Sequence, residues 1–460
     1  MLVVIIKENI VVSDATKELK TWCKANLEVS NPEYAKKQRM GFWTGNTPSK
    51  LTYYKEIGDD LVLPYGVKDE IPVKDTDIIV NRFISKEDVG YRDCEVPLYD
   101  YQDKAVENMI AKGYGILQAP AGSGKTQMGI AMAIRHNKPT LWICHTKDLL
   151  NQSKSRALQY IPEEYIGTIT EGKINVGKGI TFATVQTLAK VDLSHLYDLW
   201  DVVIVDECHR VAGSPTNITQ YFKVLDNIAA PHKYGLSATV HRADGLLTGL
   251  YSLLGKVTHV VTDKEVADKI VPVRVIAKGT DTKLSRECLN TDGTLCYSKF
   301  INYLCEDTER TELIVQDIIN NKGKSCLILS DRLNHLAEMM DSLPLDMTAD
   351  AVMISGKMTS RKGKEEREEA LADMRNGNKK YLFATYSLCK EGLDIPRLER
   401  LFMTTPVKDY AVVAQSIGRV ARKFDSKDEP IAYDYVDNIQ YAARAYKDRV
   451  KTYKKIGCVL

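Results

Sequence analysis

No CxxC pair occurs in this sequence of 460 residues, although it contains 10 cysteines, from Cys23 to Cys458. The three nearest one another, Cys288, Cys296 and Cys305, have a spacing that fits no zinc site. The cysteines are therefore expected to be free thiols in a reducing compartment. Long apolar runs are missing too. The N-terminal MLVVII is cut by Lys7, which leaves it too short for a signal-peptide core, and it reads as a strand. Nothing approaches transmembrane length, so a cytoplasmic location without a membrane partner is expected. There is also no surplus of charge: Lys+Arg 63 against Asp+Glu 61 gives a net +2. The total is silent about nucleic acid, and only a local distribution of charge can speak. A hydrophobic share of 44% and a charged share of 27% suit a globular protein. The length exceeds what one core holds, so two or three domains are expected.

The chain is organised around LQAPAGSGKT, Leu117–Thr126. An apolar run at Gly115–Leu117 predicts a buried strand, and MGIAMAIRH after Thr126 predicts a helix. A glycine-rich turn from strand to helix aims backbone N–H groups and the positive helix end at an anion. In such a phosphate-binding loop Gly122 and Gly124 admit the phosphates to the backbone, along Ala121 and Ser123. Lys125 would reach the β- and γ-phosphates, and Thr126 would place its hydroxyl on Mg²⁺. Ala119 stands where this motif commonly begins with Gly.

From Tyr114 to about Val261 short apolar runs (TLWIC, ITFATV, VVIVD, KYGLSAT) alternate with helical segments. That predicts a parallel sheet with helices on both faces. The run Val202–Val205 ends in two acids. Magnesium-dependent phosphoryl transfer needs a carboxylate near the metal and a group that orients the attacking water. Asp206 suits the first role and Glu207 the second.

The ordered set AxxGSGKT, DECH, Ser237-Ala238-Thr239 and QSIGRVAR (Gln415–Arg422) resembles the superfamily-two helicases over about Leu98 to Asp437. Within them the likeness is to bacteriophage UvsW-type branch-migration helicases and the XPB-like group. NPEYAKKQRMGFWTG, LSATVHRADGL and ATYSLCKEGLDIP extend it. The resemblance implies two RecA-like domains with ATP and Mg²⁺ in the cleft between them. It implies that Gln102 reads adenine, and that Asp394 in EGLDIP lies near the ribose. It places Thr146, Lys147, Thr184, Gln186 and Thr385 on the nucleic-acid backbone. His209, Ser237 and Thr239 would couple hydrolysis to movement. Gln415, Arg419 and Arg422 would lie on one helix, with the two arginines, three apart, as fingers for the γ-phosphate.

Three features outside these motifs carry two readings each. Tyr34–Trp43 interleaves Lys36, Lys37 and Arg39 with aromatics. It is either a nucleic-acid surface, with Trp43 stacking on bases, or a helix ending at Gly41 with its aromatics packed inward. Asp292-Gly293 predicts a hairpin, either a strand-separating wedge or a surface excursion. The basic tail from Ile439 to Leu460, Lys447 included, either grips nucleic acid or docks its tyrosines and leaves its charges solvated. A helix over Asp14–Asn26, capped by Ser13 or Asp14, is also expected.

The expected architecture is α/β: an α+β accessory domain (1–96), RecA-like domains at 97–270 and 271–440, and a basic helix at 441–460. The expected activity is that of an ATP-dependent DNA helicase that unwinds and branch-migrates forked or four-way DNA, acting as a monomer. An RNA helicase, or a duplex-DNA translocase motor of a restriction or remodelling complex, is the alternative.

Overall fold

A computed structural model describes residues 2–74, 77–91, 93–120, 122–238, 240, 245–266, 271–356, 358, 360–390, 393, 395–424 and 427–460. The chain divides into two compact units, Met1–Thr262 and Asp263–Leu460.

In the first unit, every residue of Val202–Val205 is buried. An apolar run without alternation belongs in a sheet covered on both faces. The sheet has eight strands among the described residues. Their order is Lys173–Asn175, Ile166–Thr170, Ile180–Thr184, Thr140–Cys144, Val202–Val205, His232–Ser237, Tyr114–Gln118 and Val257–Val260. All neighbours run parallel except Lys173–Asn175. The strands are joined through helices such as Lys125–His136, Lys147–Ala157 and Pro215–Leu225. This is the RecA-like layout.

The N-terminal region adds a five-stranded sheet ordered Lys55–Ile57, Asp60–Leu63, Ile10–Ser13, Val3–Ile6 and Ile78–Asn81. It shares one apolar core with the larger sheet. Tyr53 stacks on Phe222 at 5.3 Å, and the Tyr65 hydroxyl donates to the Pro231 carbonyl at 2.6 Å. The buried Lys233 amine donates to the carbonyls of Leu225 (2.8 Å) and Glu8 (3.0 Å). Burial pulls its pKa down to about 8, against the opposing pull of Asp226. Gly66 allows this closeness, since a Cβ there would lie 2.4 Å from the backbone of Tyr251 and Gly255.

Two local expectations are corrected here. The first helix runs Lys17–Leu27 and is capped by Thr16, whose hydroxyl accepts from the Leu19 N–H. Asp14 cannot cap it because it turns at φ 51 and donates its N–H to Asp60. Leu19 and Cys23 are nevertheless buried together, with Trp22 packed beside them. The second helix is Pro32–Arg39 and buries none of its residues. The inward-facing reading of its aromatics falls, because Phe42 and Trp43 are 60% and 88% exposed. The Trp43 ring lies over Gly45, where a Cβ would come within 2.9 Å of it.

The second unit holds a six-stranded, fully parallel sheet: Arg274–Thr280, Ile431–Asp437, Arg400–Met403, Cys326–Ser330, Tyr381–Thr385 and Ala351–Ile354. It is the second RecA-like domain. The Asp292-Gly293 turn forms a short hairpin closed by a bridge between Leu289 and Leu295. The C-terminal helix Gln440–Lys455 docks on this domain. Its Arg449 is not one of the solvated cations. It is buried, and its Nε and Nη2 donate to Asp434 at 2.8 Å. Tyr453 donates to the same carboxylate at 2.7 Å. Buried charges persist where each is paired and hydrogen-bonded.

Candidate active site

The parallel sheet of the first unit brings the sequence-predicted groups to its C-terminal edge. Across five neighbouring strands this edge presents, in order, Thr184, Thr146 with Lys147, Asp206 with Glu207, Ser237, and the phosphate-binding loop. Ser237 thus sits between the acid pair and the loop.

The loop is built for close approach. Gly122 and Gly124 take φ 83 and 81, a region costly for any residue with a Cβ. At Gly124 a Cβ would also lie 2.3 Å from the Gln102 amide nitrogen. Ser123 is fully buried, and its hydroxyl has no hydrogen-bond partner among the described residues. Lys125 opens the following helix with its amine 3.2 Å from the carbonyls of Ala119 and Pro120. Thr126 is half-buried in the first turn. Ala121 lies outside the described residues.

Gln102 is also engaged within the protein. Its Nε2 donates to the Ser123 carbonyl at 2.7 Å, and its Oε1 accepts from the Tyr99 N–H at 2.9 Å. The amide caps its own helix and ties that helix to the phosphate loop. Tyr101 reinforces the tie through a hydroxyl bond to the same carbonyl, at 3.0 Å. Buried as it is, Gln102 keeps one amide hydrogen and one lone pair for anything else.

The acid pair is strongly polarised. Asp206 is buried; its carboxylate accepts from the Ser153 hydroxyl at 3.0 Å and from the Glu207 N–H at 2.9 Å. Burial, and next the Glu207 charge, raise its pKa from 3.8 to about 6, with Ser153 and Lys125 pulling the other way. Glu207 holds φ 47, a left-handed backbone in a residue with a side chain. One imidazole nitrogen of His209 lies 3.2 Å from the Glu207 carboxylate and 3.1 Å from the Ser237 hydroxyl. That ring joins two motifs that are 30 residues apart, Glu207 and Ser237. Ser153 was not legible beforehand: it is a mid-helix serine with no motif around it, 53 residues from its partner.

Buried Asp206, half-buried Glu207, the Lys125 amine and the buried Ser123 hydroxyl in the loop make a set that fits a divalent cation with a nucleotide phosphate. The raised pKa gives a stability prediction. A carboxyl whose folded pKa lies above its unfolded value stabilises the fold only while protonated. Stability is therefore lost as pH rises from about 4 to about 6, and the full cost stands above that window. The rise to about 6 corresponds to about 3 kcal/mol. Asp206→Asn removes this cost and can still pair with Ser153 and the Glu207 N–H. In metal-free buffer the variant should unfold at a higher temperature than the parent near neutral pH. The gain should shrink towards about pH 4. Equal midpoints near neutrality would show that Asp206 carries no such penalty.

The remaining predicted residues fall as follows. Thr146 caps the helix Lys147–Ala157 by accepting from the Leu149 N–H, and Lys147 pairs with Glu171 at 2.7 Å. Thr184 is buried and shares a 2.8 Å bond with Thr187, and Gln186 is half-buried. In the second unit Thr385 bonds Ser387 at 2.9 Å. Gln415 is buried on the helix Tyr410–Val420, and Arg419 donates to the Leu393 carbonyl at 3.0 Å. Arg422 is not on that helix. The helix ends at Val420 with Ala421 as its cap, so the shared helical face of the two arginines does not form. The Lys427 amine donates to the carbonyls of Arg422 (2.8 Å) and Val420, taking up the chain end where helical bonding stops. Thr239 and Asp394 lie outside the described residues. Lys447 and Trp43 are exposed.

Comparison with known proteins agrees with this layout. The family of the Type III restriction enzyme res subunit matches residues 95–242, and the Helicase conserved C-terminal domain matches 309–424. A mimivirus protein (Acanthamoeba polyphaga mimivirus) described as an ATP-dependent RNA helicase is 25% identical over 444 residues. That alignment covers 94% of this chain and 80% of the relative. The DNA 3'-5' translocase XPB2 of Sulfurisphaera tokodaii is 25% identical, over 72% of this chain and 80% of its own. The crystal structure of the UvsW protein of bacteriophage T4 aligns with 99% of this chain and 98% of its own. Its TM-score is 0.42 and its identity 17%. Two RecA-like domains carrying a phosphate-binding loop and an acid pair define an ATP-hydrolysing helicase. The chain belongs to superfamily two of the helicases.

Proposed function

We propose that this helicase is a nucleic-acid-stimulated ATPase that works on DNA, unwinding and branch-migrating forked or four-way substrates in recombination and replication repair. The observation that carries the reading is the His209 ring placed between Glu207 and Ser237. A change in the charge beside Glu207 is felt at Ser237 through that ring, as coupling between hydrolysis and movement requires. Thr126 and Asp206 would hold Mg²⁺, which would neutralise charge on the phosphates. Lys125 and the N–H groups of the loop bind the phosphates, and Glu207 orients the attacking water. Arg419 and Arg422 stabilise charge on the γ-phosphate, with Gln415 beside them and Asp394 near the ribose. Thr146, Lys147, Thr184, Gln186 and Thr385 follow the nucleic-acid backbone, which positions a strand without reading its sequence. A preference for junctions comes from outside these motifs. The best-supported source is the exposed Phe42–Trp43 tip beside Lys36, Lys37 and Arg39, with rings for bases and cations for phosphates.

RNA is the second reading, favoured by the description of the mimivirus relative. The test is ATPase activity with single-stranded, duplex, forked and four-way DNA and with RNA. Greatest stimulation by branched DNA is expected. Stimulation by RNA alone would overturn the DNA assignment, and none by any polymer would overturn the motor reading.

A further inference from the structure

The hairpin and the basic tail, separate in sequence, meet in the structure. Leu295 of the hairpin and Phe300 and Leu304 of the helix Tyr297–Glu306 form a satellite core with Ile439 and Ala442 at the start of the C-terminal helix. Tyr441 packs edge-on against Phe300 at 5.6 Å and lies 6.0 Å from Tyr297. The Lys408 amine sits over the Tyr441 ring at 4.4 Å. The Tyr297 hydroxyl is pinned 3.0 Å from the Pro406 carbonyl and 3.2 Å from Asp331, yet the residue stays 42% exposed. Asp331 and Pro406 follow the strands Cys326–Ser330 and Arg400–Met403. Because the sheet is parallel, the cluster lies at the strand end that also carries Thr385.

The charges on the C-terminal helix are placed to match. Buried Arg449 and Tyr453 fix its inner face, and Arg444, Lys447, Lys451 and Lys454 recur on the other face at helical spacing, all exposed. Asp448 engages Lys451 at 2.9 Å, which leaves Arg444 and Lys447 nearest the aromatic cluster in sequence.

We propose that the hairpin segment and the C-terminal helix form one composite surface that guides a single nucleic-acid strand leaving the Thr385 edge of the second domain. This deepens the functional reading above and rests on it. Lys408, Arg444 and Lys447 take backbone phosphates, and a base lies against Tyr297. The tyrosine is suited to this because its hydroxyl is already tied down, so little ordering is left for the bound state. A basic face with an oriented ring is the combination that holds single strands regardless of sequence.

The test uses the full chain with Lys408, Arg444 and Lys447 changed to Ala, and Lys362→Ala as a control elsewhere on the second domain. Affinity for a single-stranded oligonucleotide is measured across salt concentrations, and thermal unfolding checks that the variants fold. Each lost phosphate contact lowers the salt slope by about 0.7, so the triple variant should lose about 2 and the control close to none. A strand carrying a photoreactive base should also cross-link to Tyr297. A slope matching the control, or cross-links that avoid Tyr297, would overturn the composite surface even if nucleic acid still stimulates the parent ATPase. If no polymer stimulates the parent, the functional reading falls first.

Discussion

Glu207→Gln is expected to keep ATP binding while slowing hydrolysis by about 10²–10⁴, the range for a positioned acid–base group. Glutamine preserves the length of the side chain and an oxygen that can face His209 at the observed 3.2 Å. It can also adopt the unusual φ 47 of the native residue about as readily as glutamate. What it lacks is the negative charge that orients and activates water. The same change removes one cause of the raised Asp206 pKa, so the pKa of that carboxyl should fall. Metal binding should then persist to lower pH than in the parent. Binding of a fluorescent ATP analogue and polymer-stimulated turnover, measured side by side, separate these effects. Turnover within a few fold of the parent would remove Glu207 from the chemistry.

Arg422→Ala should lower the maximal rate far more than it weakens ATP binding. Fingers of this kind contribute about 10³–10⁵ in rate. Arg419→Ala is expected to act in the same direction by a partly different route, because the Arg419 guanidinium also donates to the Leu393 carbonyl. Its loss should loosen the segment around Leu393 as well as remove charge. Arg422 lies past the helix, with its carbonyl held by Lys427, so its removal leaves the helix intact. Lysine should not rescue either position, since an ammonium lacks the planar fork of donors. A fall in affinity with an unchanged maximal rate would make both residues ground-state contacts.

The phosphate loop and the acid pair were legible because their constraints are local. GSGKT after an apolar strand and VVIVDE each carry their geometry within a few residues. The two parallel sheets were legible for the same reason, since unbroken runs such as Val202–Val205 fit no half-exposed strand. What escaped notice depends on distant partners or on competition between caps. Ser153 matters only because Asp206 arrives beside it. Arg449 looks like its cationic neighbours until Asp434 is placed under it. Gln102 also caps its own helix, because the Tyr99 N–H, three residues away, meets its oxygen. No Gly or Pro marks the end of the helix Tyr410–Val420, so the spacing of Arg419 and Arg422 reads as helical when it is not.

The union of the N-terminal sheet with the first domain also sets an order of events on the ribosome. The strands Val3–Ile6 and Ile10–Ser13 are made first, but the core they share is completed only by later residues such as Val203, Leu225, Ile228 and Leu250. Tyr65 and Pro231, which share a hydrogen bond, are 166 residues apart. At synthesis rates of about 5–20 residues per second, the early strands wait roughly ten to forty-five seconds for their partner. During that interval their apolar faces are open to the surroundings. The nascent protein is therefore most prone to capture by chaperones, or to self-association, before the first domain is complete. A polypeptide released before Pro231 is reached should be insoluble.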